Sequence, residues 1–453
     1  MRLEFVGTEF ALQVGKSEYF NQNNLLMKGM NMDNKIIELL EAAFSEEFRL
    51  VENDLGALEQ SIREKMQLLG QGLLQRMVNR QQNGCLGSSI PCQCGGSMRL
   101  IQHRSRDIHT LFGWIKLKRA YYHCPFCQTG LAPYDKASGL GSEQLSPGLA
   151  RMCCLLAVDD SFAESSRKVE QTCGQKVSRA TIERVVQQVG SAVLQQQDQQ
   201  FKDFVDHRQP PQAQVNPQRL YVAADGTTVH EQDGWHEAKA GCVYWENQRF
   251  EPTKRYLASF DNSENFGWRL WLEACRCGLR EAKEVVYLGD GAGWIRSEHD
   301  RHFRRATFII DWFHACQHVW DCGKVLFGEG TDATKRWVEE RLGLLWDGWT
   351  KRLLDDLREQ CKRRRGGKRQ AIEKLFGYIK ANEQQMRYDV FRAKGYDIGS
   401  GSAEGACKHV IGRRLKQSGM IWSRFGSSTT LALRVIWLND RWDDLWSQKP
   451  LAA

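Results

Sequence analysis

Five short apolar runs after residue 218 constrain the fold of this chain more than any other feature. Runs this short are typical of β-strands, because helices need longer periodic stretches. The first three runs follow one another closely, and the last two alternate with helical sequence, which predicts an α/β core with a mixed sheet. We expect this core to span 218–446, with a helical insertion at about 326–396. The runs are Arg219–Ala224, Gly241–Trp245, Tyr256–Phe260, Val285–Leu288 and Thr307–Ile310.

A chain of 453 residues exceeds the usual size of one domain, and several modules are expected before this core. Helical periodicity, paired cysteines, a glycine break between two helices and a Gln/Pro-rich stretch mark four of them in turn. A leader without recognisable pattern precedes them and is interpreted as atypical and disordered, with Met32 as an alternative start. The segments are a leader (1–30), a helical N-terminal region (31–84), a zinc ribbon (85–135), a helix-turn-helix (141–194) and a linker (195–217).

The composition is that of an ordinary protein that folds in water, with 42% hydrophobic and 26% charged residues. The net charge of +8 is modest for this length, so it does not indicate a nucleic-acid partner by itself. No apolar run reaches the roughly 20 residues that cross a bilayer, and the first residues lack the pattern of a secretory signal. We therefore expect a cytoplasmic protein without a membrane partner. In that reducing compartment, closely spaced cysteines are candidate metal ligands.

Three carboxylates stand where a sheet of this kind would form a crevice. Asp225 follows the first apolar run, Asp290 follows the fourth, and Glu404 opens a helix after a glycine-rich turn. Ligands of open α/β sheets collect beyond the carboxyl ends of the strands. Carboxylates that converge there require cations, and Mg²⁺ or Mn²⁺ suits oxygen ligands best. Each aspartate precedes a glycine, which would admit a close substrate. Ordinary turn formation is the commoner explanation for either Asp-Gly pair taken alone.

Two close cysteine pairs predict a zinc ribbon. Cys92 with Cys94, and Cys124 with Cys127, would bring four thiolates to a tetrahedral Zn²⁺. The first pair is one residue shorter than the usual spacing, so Cys85 is an alternative ligand.

Basic residues in three places are candidate DNA contacts. In the helix-turn-helix, Ser178 would cap a second helix whose arginines could read base edges, although two packed structural helices would show the same pattern. A dense basic run lies in the helical insertion, and another follows Glu404; a solvated helix face is the alternative for both. The candidates are Arg179, Arg184, Arg363, Arg364, Arg365, Arg413, Arg414 and Lys416.

Several motifs in the second half of the chain resemble the bacterial insertion-sequence transposases of the ISKra group. This resemblance implies an RNase H-like catalytic core with acidic residues of the DDE type, interrupted by a helical insertion before the last acid. The motifs are Leu288–Ile295, Ile310–His314, Gly399–Lys408, Arg414–Met420 and Leu438–Asp443.

Carried over residue by residue, the resemblance makes Asp225, Asp290 and Glu404 the catalytic acids. Asp311 is an alternative for the second aspartate, because it also ends an apolar run and has His314 one helical turn later. We prefer Asp290, with Asp311 and His314 as accessory members of the site.

The expected activity is transposition. Metal-dependent hydrolysis would cut the DNA at the element ends, and the freed 3′-hydroxyls would join target DNA. The partners would be transposon-end and target DNA and further copies of this chain, as a dimer or higher homo-oligomer formed through residues 34–80, with no small-molecule substrate. We expect the protein at the bacterial nucleoid. A catalytically inactive repressor and a general RNase H-like nuclease are the alternatives.

Overall fold

A computed structural model describes residues 35, 37–45, 54–80, 83–246, 251–399 and 401–450, apart from the side chains of residues 402–404. The predicted leader at 1–30 and Met32 lie outside these residues. The chain divides into two compact units, one comprising 1–81 with 112–115 and the other comprising the remainder. In the described part of the chain, no helix is both long enough and apolar enough to cross a membrane.

The described part of the smaller unit is mainly helical, as the apolar spacing predicts. Helix α1 (Leu55–Arg80) begins after Asp54, whose carboxylate accepts the backbone N–H of Ala57 at 3.0 Å and thereby caps the helix. The side-chain amide of Gln71 donates to the carbonyl of Trp114 at 2.6 Å. This hydrogen bond joins the helix to residues 112–115, which belong to the same unit.

The cysteine-rich segment forms a four-stranded sheet in the order β1-β2-β3-β4. Its small core consists of buried side chains on alternate strand positions, including Met98 and Tyr122. The strands are β1 (Ser89–Pro91), β2 (Ser97–Thr110), β3 (Gly113–His123) and β4 (Gly130–Leu131).

Four helices follow this sheet, and serines begin the last three. Ser146, Ser161 and Ser178 each accept a backbone N–H of the first helical turn, which satisfies a donor that the helix leaves unpaired. The predicted break between two helices and the predicted cap at Ser178 are confirmed. The helices are α2 (Pro133–Ser138), α3 (Pro147–Ala157), α4 (Phe162–Cys173) and α5 (Arg179–His207).

The prediction of a linker over 195–217 is wrong for its first part, because α5 continues to His207. Glutamine is a good helix former, so a Gln-rich stretch does not stop a helix. Phe204 also packs against Trp268 and Trp271, which fixes the last turns of α5. The irregular connection therefore begins only at Arg208, which adopts a left-handed conformation with φ of 54°.

The five predicted strands form one mixed sheet in the order β7-β6-β5-β8-β9. Strands β5, β6 and β7 of this sheet pair antiparallel, whereas β8 and β9 lie parallel to β5. The predicted α/β class with a mixed sheet is therefore confirmed. The strands are β5 (Arg219–Glu231), β6 (Gly234–Glu246), β7 (Pro252–Ser259), β8 (Glu284–Gly289) and β9 (Thr307–Ile310).

Helices surround this sheet and occupy the predicted insertion. Trp337, Leu353 and Ile372 of the insertion are buried in the same core as the strand residues, so the insertion packs as part of this domain. The helices are α6 (Ser263–Arg276), α7 (Gly293–His302), α8 (Trp312–Phe327), α9 (Asp332–Trp346), α10 (Thr350–Lys362), α11 (Gly366–Ala381) and α12 (Tyr388–Ala393).

The last helices complete two cores. Helix α15 (Arg424–Leu438) packs closely on α5 at Gly190. Only a glycine fits there, because a Cβ atom would clash with the backbone of Thr429. Leu433 of α15 and Trp442 of α16 are buried with the apolar residues of α3–α5. The predicted helix-turn-helix at 141–194 is therefore not an independent module. The C-terminal elements are α13 (Gly401–Ala406), a π-helical segment (Cys407–Gly412), α14 (Arg413–Leu415), α15 (Arg424–Leu438) and α16 (Trp442–Ser447).

Candidate metal centre

Three aspartates lie in one row across three adjacent strands. Ala223 of β5 pairs with Leu288 of β8, and Leu288 pairs with Ile309 of β9. Asp225, Asp290 and Asp311 each stand two positions further along their own chain segments. Because side chains alternate along a strand, the same register brings all three to one edge and one face of the sheet. The site therefore forms at the carboxyl ends of the parallel strands, as the sequence predicts.

Asp225 lies inside strand β5 and not at its end, which corrects the predicted strand boundary. The parallel pairing with β8 stops at Ala223, but antiparallel pairing with β6 continues to Glu231. Burial raises the pKa of Asp225, and the nearby charge of Asp290 acts in the same direction. Hydrogen bonds with Cys407 and the backbone N–H of Gly226 oppose this shift.

Asp290 is held in a tight turn between β8 and α7. Its Oδ1 accepts the backbone N–H of Ala292 at 2.7 Å, and its carbonyl accepts the hydroxyl of Tyr378 at 3.0 Å. Gly291 has a φ of 86°, and an added Cβ there would lie 2.9 Å from Ile310. A side chain at this position would therefore be strained by the backbone conformation and crowded by Ile310, and the hypothesis that this glycine admits a close substrate stays a prediction.

His314 reaches the two aspartates from the first turn of α8. One ligand atom from each of Asp225, Asp290 and His314 lies within 4.8 Å of the other two. Asp311 caps the same helix by accepting the backbone N–H of His314 at 2.9 Å, and its Oδ1 lies 3.4 Å from Nδ1 of His314. Asp311 raises the pKa of His314, burial opposes the shift, and Asp225 and Asp290 add to it.

Glu404 belongs to helix α13, and its side chain lies outside the described ones. The predicted convergence of its carboxylate on the aspartates therefore stays a prediction. The helix itself contacts β5 and β6, and Cys407, one turn later, forms a hydrogen bond with Asp225. Burial raises the pKa of the Cys407 thiol, which keeps it protonated. Sequence reasoning missed Cys407, because only the folded register brings it to the site.

A π-helical segment begins at Cys407. Arg434 donates from Nε to the carbonyl of Val410 at 2.8 Å and from Nη1 to the carbonyl of Val158 at 2.8 Å. The guanidinium thus satisfies a carbonyl of the π-helical segment and one at the C-terminal end of α3, where helical carbonyls lack partners in their own helix. Segments of π-helix are frequent at functional sites.

The basic residues after Glu404 divide into structural and exposed members. Arg414 is completely buried, donates to the carbonyl of Ala157 at 2.7 Å, and lies over the rings of Phe162 and Trp422. The prediction that Arg414 contacts DNA is therefore wrong. Arg413 is exposed, and its Nε lies 3.4 Å from a carboxylate oxygen of Asp159.

Lys416 is exposed beside the site. Its ammonium donates to the hydroxyl of Thr227 at 2.9 Å. Thr227 stands two positions after Asp225 on the same strand, so both side chains project from the same face. Lys416 therefore places a positive charge next to the acidic row.

The other predicted DNA-binding arginines lie away from the acids. Arg363 and Arg365 are exposed, whereas Arg364 is half-buried with its guanidinium 5.5 Å from the centre of the Phe327 ring. Helix α11 connects this basic turn to Tyr378 at the site, a distance of about 20 Å along a helix. In the helix-turn-helix, Arg179 is exposed, but Arg184 is engaged by both oxygens of Glu143 at 2.8 and 3.2 Å.

The four predicted ribbon cysteines converge. Sγ of Cys92 lies 3.5 Å from that of Cys127, and Sγ of Cys94 lies 3.7 Å from that of Cys124. All four sulfurs fall within 4.8 Å of one another. Hydrogen bonds with the side chain and backbone of Thr129 lower the pKa of Cys127 to about 6. This cluster could hold a metal ion as thiolates.

The alternative ligand Cys85 lies outside that group. Its side chain is half-buried and packs against the small apolar core of the four-stranded sheet. Among the described residues, the group of converging sulfurs contains the short first pair and not Cys85.

A third group of acids and a histidine lies at the β5–β6 hairpin and escaped the sequence reasoning. Glu231, Asp233 and His236 have ligand atoms within 4.8 Å of one another. Glu231 is buried; Oε1 accepts the hydroxyl of Ser427 at 2.6 Å, and Oε2 pairs with Arg424 at 3.0 Å. Since an arginine already neutralises the buried carboxylate, this group is best explained as a structural network.

The fold and the site define a class of mixed α/β protein in which two aspartates and a histidine form a group able to hold a divalent ion at the end of parallel strands. The chain belongs to UPF0236, an uncharacterised protein family whose model matches residues 58–443. It is also similar to a protein of Streptococcus gallolyticus described as a UPF0236 protein in the vanSb 3′ region. The two are 25% identical over 353 residues, which cover 73% of this chain and 72% of the relative.

Proposed function

We propose that this protein is a DNA transposase that cuts and joins DNA by metal-dependent phosphoryl transfer. The observation that carries the proposal is the approach of ligand atoms of Asp225 and Asp290 to within 4.8 Å, just beyond the point where the parallel pairing of β5 with β8 ends. Two carboxylates so close repel each other unless a cation lies between them. The order β7-β6-β5-β8-β9, antiparallel and then parallel, suits the RNase H-like core that the resemblance to ISKra-group transposases implies.

The residues present suit Mg²⁺ or Mn²⁺. Asp225 and Asp290 would hold the ions from the sheet, and Glu404 would complete the set from α13, the helix that contacts β5 and β6. Such ions activate a water or 3′-hydroxyl and stabilise the leaving oxygen in an in-line displacement. The protein orients these ligands through the hydrogen bonds of Gly226 and Cys407 to Asp225 and of Ala292 to Asp290.

Cations of the protein would hold the DNA backbone on either side of the acids. Lys416, which is hydrogen-bonded to Thr227 beside the acids, would neutralise a phosphate next to the reacting one. Arg363 and Arg365 would contact the backbone about 20 Å away, which corresponds to some six base pairs of DNA. These contacts position DNA without reading its sequence.

Recognition of the element ends would belong to the N-terminal modules. The four-cysteine cluster would bind Zn²⁺ and stabilise the ribbon. Arg179 at the exposed start of α5 is the candidate base-reading residue, whereas Arg184 would first have to leave Glu143. Two ends must be processed together, so we expect a homo-oligomer, which residues 34–80 would form. We expect the protein to act at the bacterial nucleoid.

A cleavage and strand-transfer assay with DNA from the ends of the element tests this function. The wild-type chain should nick the ends and join them to target DNA in Mg²⁺ or Mn²⁺. Asp225→Asn, Asp290→Asn and Glu404→Gln should each abolish both steps while end binding persists. Asp233→Asn, which changes an exposed acid of the hairpin group, is the matched control and should remain active.

The outcomes separate the alternatives. End binding without cleavage by the wild type would indicate a repressor, and hydrolysis without joining would indicate a general nuclease. Full strand transfer by any of the three acid variants would refute the assignment of that acid.

A further inference from the structure

We propose that His314 is a direct nitrogen ligand of a divalent ion shared with Asp225 and Asp290, that Asp311 positions it, and that the site therefore prefers Mn²⁺ to Mg²⁺. The inference extends the proposed function, since both place divalent ions between the same aspartates.

The geometry selects His314 and not Asp311 as the third ligand. Among the described residues, the converging group at this edge contains a ring nitrogen of His314 together with the two aspartates. The His314 side chain is 35% exposed, whereas that of Asp311 is 2% exposed. Asp311 stands in the same row of the sheet, but its carboxylate is turned into the helix start and accepts the N–H of His314. A solvent-borne ion therefore meets the imidazole first.

Asp311 and His314 also lie close to the arrangement that orients histidine ligands, with Nδ1 of His314 buried beside the carboxylate but not hydrogen-bonded. A metal-bound histidine almost always donates its other ring N–H to a carboxylate or carbonyl, which fixes the tautomer. Oδ1 of Asp311 lies 3.4 Å from Nδ1 of His314, slightly longer than an ideal hydrogen bond. A small ring rotation would tighten this contact, place the proton on Nδ1 and leave Nε2 for the ion.

The nitrogen ligand determines the metal preference. Mg²⁺ is a hard ion that demands oxygen ligands and retains its waters, so an imidazole is a poor ligand for it. Mn²⁺ accepts carboxylates, and transition ions accept imidazole as well. Two aspartates and one histidine thus favour Mn²⁺ over Mg²⁺. Glu404 and water would supply the remaining oxygen ligands.

The experiment uses the full-length protein, Mn²⁺ and Mg²⁺ as the probes, and two readouts that need no DNA. Calorimetry should give a dissociation constant for Mn²⁺ at least about tenfold below that for Mg²⁺. Electron spin echo modulation of bound Mn²⁺ should show coupling to an imidazole nitrogen, which His314→Gln should remove. Asp311→Asn, which keeps a good helix cap, should retain the coupling and weaken Mn²⁺ binding by about 10- to 100-fold.

His236→Gln is the matched control, because His236 belongs to the other described group that combines a histidine with carboxylates. Nitrogen coupling should persist in it. Loss of the coupling in His236→Gln, its persistence in His314→Gln, or its absence from wild-type protein with bound Mn²⁺ would overturn the proposal. So would failure to bind Mn²⁺. Coupled Mn²⁺ in a protein without strand transfer would leave this inference standing and refute the transposase function, whereas strand transfer without nitrogen coupling would do the reverse.

Discussion

Neighbouring arginines in this chain have opposite roles. The guanidinium of Arg414 is buried between Phe162 and Trp422, and that burial, with the nearby charge of Arg434, lowers its pKa to about 10. The guanidinium of Arg413 is exposed. A basic dipeptide beside a predicted active site looks uniform in sequence, yet only one of its members can meet a phosphate.

The first prediction concerns this pair. Arg414→Ala should lower the free energy of unfolding by about 2–4 kcal/mol, because it leaves a cavity and an unpaired carbonyl at Ala157. Arg413→Ala should change it by no more than about 0.5 kcal/mol. Urea denaturation of both variants measures the difference. Equal stabilities, with weaker DNA binding only in Arg414→Ala, would contradict the structural role and restore the DNA contact.

A buried histidine links elements of the larger unit. His109, near the end of β2, lies 2.9 Å from the side chain of Gln175 in the turn before α5, and its backbone bonds to Gln144 and Ser146. Burial lowers the pKa of His109 from its ordinary value of 6.5, and the bond to Gln175 partly opposes the shift. The ribbon strand and the helix pair are thus joined by a group that resists protonation.

The second prediction follows from that shift. Because the folded pKa is lower than the unfolded one, the unfolded state binds the proton more readily. The contribution of His109 to stability is therefore fully present above pH 6.5 and is lost as the pH falls towards the folded pKa. Between pH 8 and pH 5, wild-type protein should lose more stability in urea than His109→Gln does. His103→Gln, an exposed change on the same strand, should follow the wild type.

The third prediction concerns the metal of the ribbon. Elemental analysis of purified protein should give about one zinc per chain. Cys124→Ser combined with Cys127→Ser should remove the zinc, because each pair supplies two of four ligands. Cys85→Ser should retain it, since Cys85 lies outside the converging group. Zinc that persists without Cys124 and Cys127, or that disappears with Cys85, would require a different ligand set.

Elements that depend on residues close together in the chain could be predicted from the sequence. Element boundaries that depend on contacts with residues far away in the chain could not. The run Thr307–Ile310 matches its strand because its β-branched and aromatic residues favour a strand and Asp311 ends the run. The extension of β5 past Ala224 depends on pairing with β6, and the continuation of α5 to His207 depends partly on Trp268 and Trp271. No short pattern encodes such contacts.

The candidate site shows the same division. Asp225 and Asp290 could be found because each follows an apolar run, and parallel strands end at a common edge. His314 appeared only as an accessory to Asp311, because the sequence does not give the direction of a helix relative to the sheet. Cys407 was missed, since its contact with Asp225 joins residues far apart in the sequence of the α/β domain.

At the scale of the whole molecule, charged side chains form two groups near the five-stranded sheet, which α11 connects. The acids and Lys416 lie at the carboxyl end of the parallel strands, and α11 runs from there to the exposed basic turn. Within that turn, Lys362 and Arg369 pair with glutamates of their own helices. Under the proposed function, the residues that remain to contact DNA would be Arg363, Arg365 and Lys368, which are exposed.

The fourth prediction tests whether DNA follows α11 from the acids to the basic turn. Arg363→Gln, Arg365→Gln and Lys368→Gln together should weaken DNA binding at low salt. If each residue neutralises one phosphate, the slope of log affinity against log salt should become less negative by about 2.7. The control changes two exposed cations, Arg280→Gln and Lys283→Gln, which lie next to the amino end of β8. This control should leave the slope unchanged, because these residues lie at the opposite end of the strand from Asp290. Equal slopes in the two variants would mean that DNA does not follow α11 and that the basic turn is only a solvated surface.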